Sequence, residues 1–333
     1  MLQGLFSEKG KIDDMEEISK KHFYSLIRQR KLEDIKKIKI FEKILKNERG
    51  YVFKMPKRGS DVILLVSGGL DSITVWGILM KEYGLNVYPI IIDSGQRRFK
   101  REHAAFKYFD RFYKKKFPKN YRRYVNFDIK QNNNSIKVEN TLKDLKEEVI
   151  LESFKKGRMS FNGSFSVSII FPLLARSYGM YLNATQAKRI NTIFSAVVAN
   201  DGEFTLHQTL TALRSIMCNM CVATGDYSWQ FVSICLEPEL GLFMKKADLV
   251  KWGVKNKLPL EKTWSCYYSK KYQCGVNCTT CGARKHAFLE AGVKDKTIYK
   301  SIEDQQLISK LFQKANKKVT RFLTSRLKWK KLS

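Results

Sequence analysis

The sequence predicts an α/β protein built on an open parallel sheet, and three observations carry that expectation. The run Val62-Ile-Leu-Leu-Val66 is short, apolar and partly β-branched, and it ends directly in Ser67-Gly68-Gly69. A second apolar run, Val87 to Ile92, closes on Asp93-Ser94-Gly95. Helical patterns follow each run, over Ile73 to Tyr83 and over Phe99 to Phe112. Continuous apolar strands are buried on both faces, and strand–helix–strand–helix order implies parallel pairing.

Ahead of the first strand, residues 1–57 hold two amphipathic patterns. Ile18, Phe23, Leu26 and Ile27, then Leu32, Ile35, Ile38, Ile40 and Phe41, recur at near-helical spacing among Lys, Arg and Glu. No chemistry is visible there, and the expectation is a pair of helices packed on the main body or on a partner. Residues 118–160 are polar and basic around Asn132-Asn133-Asn134. A strand over Tyr124 to Ile129 precedes that loop, and a helix near Leu142 to Phe154 follows it. An apolar helix is expected over Ser166 to Ser177, with short strands at Tyr181 to Ala184 and Val232 to Leu236. Further helices are expected at His207 to Cys221 and Lys245 to Lys255, and in the basic tail from Ile302 to Lys331. The organisation expected is a helical extension (1–57), an α/β domain (58–260), a cysteine-rich segment (261–292) and a basic helical tail (293–333).

The apolar content of 44% is ample for a packed core and excludes wholesale disorder. No stretch approaches the roughly 18 apolar residues of a membrane helix. The start MLQGLFSEKGKIDDMEE has no apolar h-region. A soluble, cytoplasmic protein with no membrane partner is expected. Lys plus Arg number 62 against 32 Asp plus Glu, a net charge of +30. That excess reads either as the footprint of a nucleic-acid binder or as Lys-rich usage spread along the chain.

The sharpest local signal is Val66-Ser67-Gly68-Gly69-Leu70-Asp71-Ser72. A buried strand delivers the chain to two glycines, which permit positive φ and close approach of a ligand. A helix beginning at about Asp71 would present unpaired N–H groups and a favourable dipole to a phosphate. The hydroxyls of Ser67 and Ser72 add donors, and Asp71 could cap the helix or help hold Mg²⁺. The string lacks the Gly-Lys-Ser/Thr of a Walker loop and is not G-x-G-x-x-G. It resembles the PP-loop of ATP pyrophosphatases, which cleave ATP between its α and β phosphates. Asp93, Gln96 and Arg97 end the second strand, at the sheet edge that borders the ligand crevice in open α/β folds. Gln96 and Arg97 are candidates for nucleotide or substrate contacts, or else a solvated helix start.

The second strong signal is Cys266-x7-Cys274-x3-Cys278-x2-Cys281. Four thiolates in so short a span suit a closed tetrahedral Zn²⁺ site, and four-cysteine sets also hold iron–sulfur clusters. Lys270, Lys271 and Arg284 would offset the negative charge of such a centre. Cys218 and Cys221 have a metal-like or redox-like spacing, and they also fit one buried helix face.

Taken in order, the loop at 67–72, Gln96-Arg97, Lys246-Ala247-Asp248, Thr263-Trp264-Ser265-Cys266-Tyr267 and Cys274-Gly275…Cys278-Thr-Thr-Cys281-Gly-Ala-Arg284 resemble the 7-cyano-7-deazaguanine synthase (QueC) family. The resemblance spans roughly residues 60–292. It implies an adenine nucleotide α-hydrolase-like (PP-loop) fold with a four-cysteine zinc segment, and an ATP-dependent C–N ligase of queuosine biosynthesis. In that family a carboxylate on 7-deazaguanine is adenylated, ammonia gives an amide, and a second ATP converts the amide to a nitrile. Carried over, Val66 to Ser72 with Asp93, Gln96 and Arg97 would bind ATP and Mg²⁺. Ser67, Asp71, Ser72 and Lys246 would serve the chemistry, and Cys266, Cys274, Cys278 and Cys281 would bind Zn²⁺.

The departures are informative. The family's Val-Pro-Gly-Arg-Asn string is replaced by Ser160-Phe161-Asn162-Gly163-Ser164-Phe165. Its Asp-rich stretch that reads the base is replaced by Asn191 to Phe204, where Asp201 and Glu203-Phe204 offer the match. ATP activation looks intact while the substrate-reading part has changed, which suits a QueC-like paralogue. Some QueC-like proteins belong to anti-phage defence systems, where a partner protein could be the acceptor. A PP-loop enzyme acting on tRNA is the competing class. The partners expected are ATP and a deazaguanine-type molecule, with a protein acceptor and a homodimer left open and nucleic acid less favoured as substrate.

Overall fold

The computed structural model describes residues 12, 16–94, 96, 98–129, 169–203, 205–268, 271–275 and 278–300. Helix α1 (Lys20–Arg28) opens at Ser19, whose hydroxyl accepts from the His22 N–H. Helix α2 (Ile35–Arg49) opens at Asp34, whose carboxylate accepts from the Lys37 N–H, and ends at Gly50 in the left-handed conformation. Each helix buries one stripe: Phe23 and Ile27 on α1, Ile38 and Leu45 on α2. These side chains share one continuous core with the sheet, so the expected amphipathic pair packs on the main body. Each such burial stabilises by about 1.5–3 kcal/mol.

Among the described residues, five strands form one parallel sheet: β1 (Asp61–Leu65), β2 (Asn86–Asp93), β3 (Val125–Asp128), β4 (Thr192–Ser195) and β5 (Gln230–Ser233). Their spatial order is β3-β2-β1-β4-β5. The chain steps outward from β1 to β3, then returns to the other side of β1 with β4. The order therefore reverses between β1 and β4, and the crevice outside their carboxyl ends is where such sheets place ligands. Helices α3 (Leu70–Lys81), α4 (Phe99–Lys116), α5 (Phe171–Gln186) and α6 (Leu210–Val222) connect or flank the strands. A short antiparallel pair, β6 (Leu236–Glu237) with β7 (Leu242–Phe243), leads to α7 (Lys246–Lys255) and then α8 (Thr279–Glu290). Among the described residues, no helix is long and apolar enough to cross a membrane.

Several expectations are corrected. Tyr181 to Ala184 lies inside α5 and is not a strand; Leu182 is buried while Met180 and Tyr181 face outward, a helical division of faces. That helix runs from Phe171, later than expected, and residues 166–168 lie outside the described residues. The stretch Val232 to Leu236 is divided between β5 and β6. The helix expected from His207 breaks at Thr209: a 3-10 turn covers Leu206–Gln208, and Thr209 then caps α6 through its side chain. Strand β4 lies within the Asn191 to Phe204 stretch that the sequence assigns to substrate contacts. The loop around Asn132, the helix near Leu142 and the tail from Ile302 lie outside the described residues.

A buried charge network ties the N-terminal helices to this body. Arg214 of α6 is fully buried and grips Glu237 with two bonds of 2.9 and 2.7 Å. Its Nε donates to Glu42 of α2 at 3.0 Å, and Glu42 accepts the Tyr24 hydroxyl. Burial alone would lower the Arg214 pKa, but the two carboxylates raise it further than burial lowers it.

Candidate active site

The phosphate-type loop forms where the sequence places it. Val66 donates its N–H to Ile90 at 2.8 Å, which carries β1 one residue onward before Ser67. Gly68 has φ +80, and a Cβ there would stand 2.1 Å from the Glu102 carbonyl oxygen. No side chain fits, so glycine is required on both counts. Gly69 is the N-cap of α3 and brings no side chain to it, which leaves the first-turn amides of Leu70, Asp71 and Ser72 to a ligand. The hydroxyls of Ser67 and Ser72 lie 3.2 Å apart, and each also accepts a loop amide, from Gly69 and Ser67 respectively. The loop is thus held in shape before any anion arrives.

Asp71 does not cap the helix. Its Oδ2 lies 2.9 Å from Lys246 Nζ, and its buried Oδ1 has no partner. Lys246 is the first residue of α7, which packs against α3, with the Trp252 ring within 3.0 Å of where a Cβ on Gly77 would lie. Burial pushes the Lys246 pKa down, but Asp71 and Asp201 together hold it above the ordinary lysine value. Asp201 follows β4 across the crevice, and its Oδ2 accepts the Val198 N–H at 3.1 Å. Burial first, then the charge of Asp71, raises its pKa to about 6 against the pull of Lys246. Asn200 beside it has a buried Oδ1 with no partner. Two carboxylates and one ammonium, with the unsatisfied Oδ1 of Asp71, thus meet at the strand-order reversal, and Asn200 precedes Asp201 in the chain. Such a set can hold a cation, accept N–H groups and stabilise phosphate charge.

The four cysteines converge as their spacing predicts. Their Sγ atoms all lie within 4.8 Å of one another, and all four residues are buried. Cys274 and Cys281 are 3.7 Å apart, and a tetrahedral zinc centre with bonds of about 2.3 Å sets its sulfurs about 3.8 Å apart. Cys278 is the N-cap of α8 and Cys281 lies in its first turn, so the helix dipole favours thiolate there. Burial pushes the Cys274 thiol up to about 12, so the buried set suits charge only beside a cation. The donor set fits a metal ion.

This segment grips the phosphate-type loop. The Trp264 N–H donates to the Gly68 carbonyl at 3.1 Å, and Trp264 Nε1 donates to the Cys266 carbonyl at 2.8 Å. Arg284 was expected to offset charge at the sulfurs. Its hydrogen bonds go to Thr263, Ser265, Thr297 and the Leu260 carbonyl, which fastens α8 to the segment entering the cysteine block. Lys271 places its ammonium over the Tyr272 ring, and Lys270 lies outside the described residues.

Not every candidate converges. Asp93 is buried at the end of β2. Gln96 turns back, its Oε1 accepting the Ser94 N–H and hydroxyl and its Nε2 donating to the Ile92 carbonyl, so its amide closes the strand end. Arg97 lies outside the described residues. Cys218 and Cys221 sit on the buried face of α6, and Cys221 donates to the Trp229 carbonyl with its thiol pushed up to about 11 by burial. The residues missed are Asn200, which no motif marks, and Arg30 and Glu33, whose partners are about 170 positions away in sequence.

The family model described as "Queuosine biosynthesis protein QueC" matches residues 216–292, a span that holds Lys246 and all four cysteines. A relative from Thermoplasma volcanium named 7-cyano-7-deazaguanine synthase is 28% identical over 255 residues, covering 74% of this chain and 92% of that protein. The chain is similar to the QueC family. A second relative of the same name, from Campylobacter jejuni subsp. doylei, is 27% identical over 240 residues, covering 72% of the QueC-like chain and 98% of its own. Among solved structures, a U34-tRNA thiolase from Methanococcus maripaludis with its 4Fe-4S cluster is 13% identical, with a TM-score of 0.34, covering 76% of the QueC-like chain and 74% of that one.

Proposed function

We propose that this QueC-like chain is an ATP-dependent C–N ligase that adenylates the carboxylate of a 7-deazaguanine-type substrate. A carboxylate oxygen attacks the α-phosphorus of ATP, and pyrophosphate leaves with the bond electrons. A nitrogen nucleophile then attacks the acyl carbon, AMP leaves, and the nitrogen loses a proton. The observation that carries this reading is the Asp71–Lys246–Asp201 cluster at the rim of the Ser67–Ser72 loop.

In this scheme Ser67, Gly68, Gly69 and Ser72 with the α3 amides hold the phosphates. Lys246 spreads its charge over the α-phosphate as the bond order there changes, which favours the transition state over the bound substrate. The unpartnered Oδ1 of Asp71 suits a ligand of Mg²⁺, which would supply phosphate neutralisation when bound. Asp201 and Asn200 are acceptors placed to receive the N–H groups of a guanine-type base. The four cysteines would hold Zn²⁺ in a closed structural site, since sulfurs this close match one ion better than the wider corners of an iron–sulfur cube.

Ammonia is the nucleophile in the first instance. The altered stretch from Asn191 to Phe204 favours, as a second reading, an amine on a partner protein. A persulfide route on tRNA is disfavoured by the buried thiols of Cys218 and Cys221. The test is ATP–pyrophosphate exchange with 7-carboxy-7-deazaguanine. Exchange dependent on that carboxylate is expected, and exchange seen with tRNA alone would move the substrate to RNA.

A further inference from the structure

The turn between α1 and α2 reaches the crevice, although its own sequence displays no chemistry. Arg30 Nη1 donates to the Ala199 carbonyl, and Arg30 Nη2 lies 3.2 Å from Glu203 Oε1. The guanidinium carbon also stands 4.8 Å from the centre of the Phe243 ring. Glu33 accepts the N–H groups of Leu210 and Thr211 at 2.7 and 2.9 Å and the Thr211 hydroxyl at 2.6 Å. Thr209 accepts the Ala212 N–H at 3.0 Å, so the first three amides of α6 are satisfied, two of them from the N-terminal turn. The Asp34 N–H closes the contact by donating to the Thr211 hydroxyl at 2.9 Å.

These bonds grip one loop at both ends: Ala199 and Glu203 on one side, Leu210 and Thr211 on the other. The grip encloses Asp201, while Asn200 lies next to Ala199. Arg30 is only 10% exposed, so its charge is largely stripped of water and its partners matter. Anchoring of the helices does not depend on this turn. Phe23, Ile27, Ile38 and Leu45 lie in the core, and Glu42 is bonded to Arg214.

We propose that Arg30 and Glu33 are positioning residues that hold the 199–211 loop where Asn200 and Asp201 can seat the non-nucleotide substrate beside the phosphate-type loop. The role of the substrate rests on the adenylation reading above. A rigid base-reading loop spares the substrate the entropy of ordering it, so loosening the loop weakens binding of that substrate and leaves ATP alone. Among the described residues, no hydrogen bond or ion pair joins Lys246, Asp71 or the α3 amides to the turn, and the Lys246–Asp71 pair lies outside the gripped loop.

The experiment uses the full chain with Arg30→Ala, Glu33→Ala and Arg30→Lys. AMP formation is followed against 7-carboxy-7-deazaguanine and against ATP, and backbone hydrogen exchange is measured over 196–211 and 66–81. Both alanine variants are expected to raise the carboxylate KM by about ten-fold or more while the ATP KM stays within about two-fold. Exchange should accelerate over 196–211 and not over 66–81. Arg30→Lys, which keeps the charge and one donor, should recover most of the loss. Unchanged exchange over 196–211, or equal loosening of both segments with both KM values rising together, would overturn the proposal. If wild type forms no AMP from this carboxylate, the adenylation reading fails by itself. The exchange comparison then still decides whether the turn holds the loop.

Discussion

Lys246 Nζ stands 2.9 Å from Asp71 Oδ2, so the first residue of α7 and the first turn of α3 share one charge pair beside the phosphate-type loop. Both side chains are about a fifth exposed, at 20% and 22%. The pair is open enough to meet a ligand and buried enough for its charge to act at short range. In the proposed reaction, Asp71 would keep the ammonium aligned until phosphate oxygens compete for it.

Replacing Lys246 with Met should therefore lower kcat for AMP formation by about 10²–10³, the usual cost of removing one preorganised stabiliser. The ATP KM should change less than kcat, and Lys246→Arg should recover part of the rate. Steady-state assays varying ATP check this, with thermal melting expected to stay near wild type because a partly exposed pair contributes little to stability.

The proposed role of Asp201 predicts an acid limb in the reaction. Burial first, and then the charge of Asp71, raises its carboxyl pKa to about 6 against the pull of Lys246. If the ionised form accepts the base, kcat/KM for the carboxylate substrate falls as pH drops through that value, and Asp201→Asn lacks the limb. The stability consequence has the opposite direction. The folded state binds this proton more tightly than the unfolded chain, where an aspartate titrates near about 4. The stability tied to the proton is complete below about 4 and is lost as pH rises through about 6. Melting curves between these values should show wild type losing stability relative to Asp201→Asn.

The cysteine block should carry one zinc per chain by elemental analysis, with neither iron nor a broad visible absorbance. Cys274→Ser, or chelation under mild denaturant, should lower the melting temperature by about 10 °C or more, since structural zinc contributes folding energy directly. ATP binding should weaken in step, because Trp264 transmits the block's position to Gly68.

Arg214→Met should destabilise by about 3–5 kcal/mol, because it leaves Glu237 and Glu42 buried without their cation. Replacing the three charged residues together with apolar ones of similar size should recover most of that loss. Denaturant unfolding of the single and triple variants checks both statements.

Much of the fold was legible because its strands are short apolar runs and its special turns need particular residues. Gly68 is required by its positive φ and by the Glu102 carbonyl, and the cysteines were readable because metal geometry restricts their spacing. Tyr181 to Ala184 misled because four residues cannot distinguish strand from helix, and α5 is decided by the packing of Ala175, Gly179 and Leu182. Strand β4 went unseen because a stretch read for substrate contacts begins with it. Gln96 was placed at the right sheet edge, yet its amide is taken up by Ser94 and Ile92. Arg30 and Glu33 act across about 170 residues of chain, and no local pattern reports a contact of that range.

The most direct test follows an oxygen atom. If the substrate carboxylate attacks the α-phosphorus, one of its oxygens departs with AMP when nitrogen displaces it. Incubation of the protein with ATP, ammonia and 7-carboxy-7-deazaguanine labelled with oxygen-18 in the carboxyl group should yield AMP carrying a single labelled oxygen, with pyrophosphate unlabelled. Unlabelled AMP under turnover, or ATP cleavage that yields ADP and phosphate, would contradict adenylation of the carboxylate.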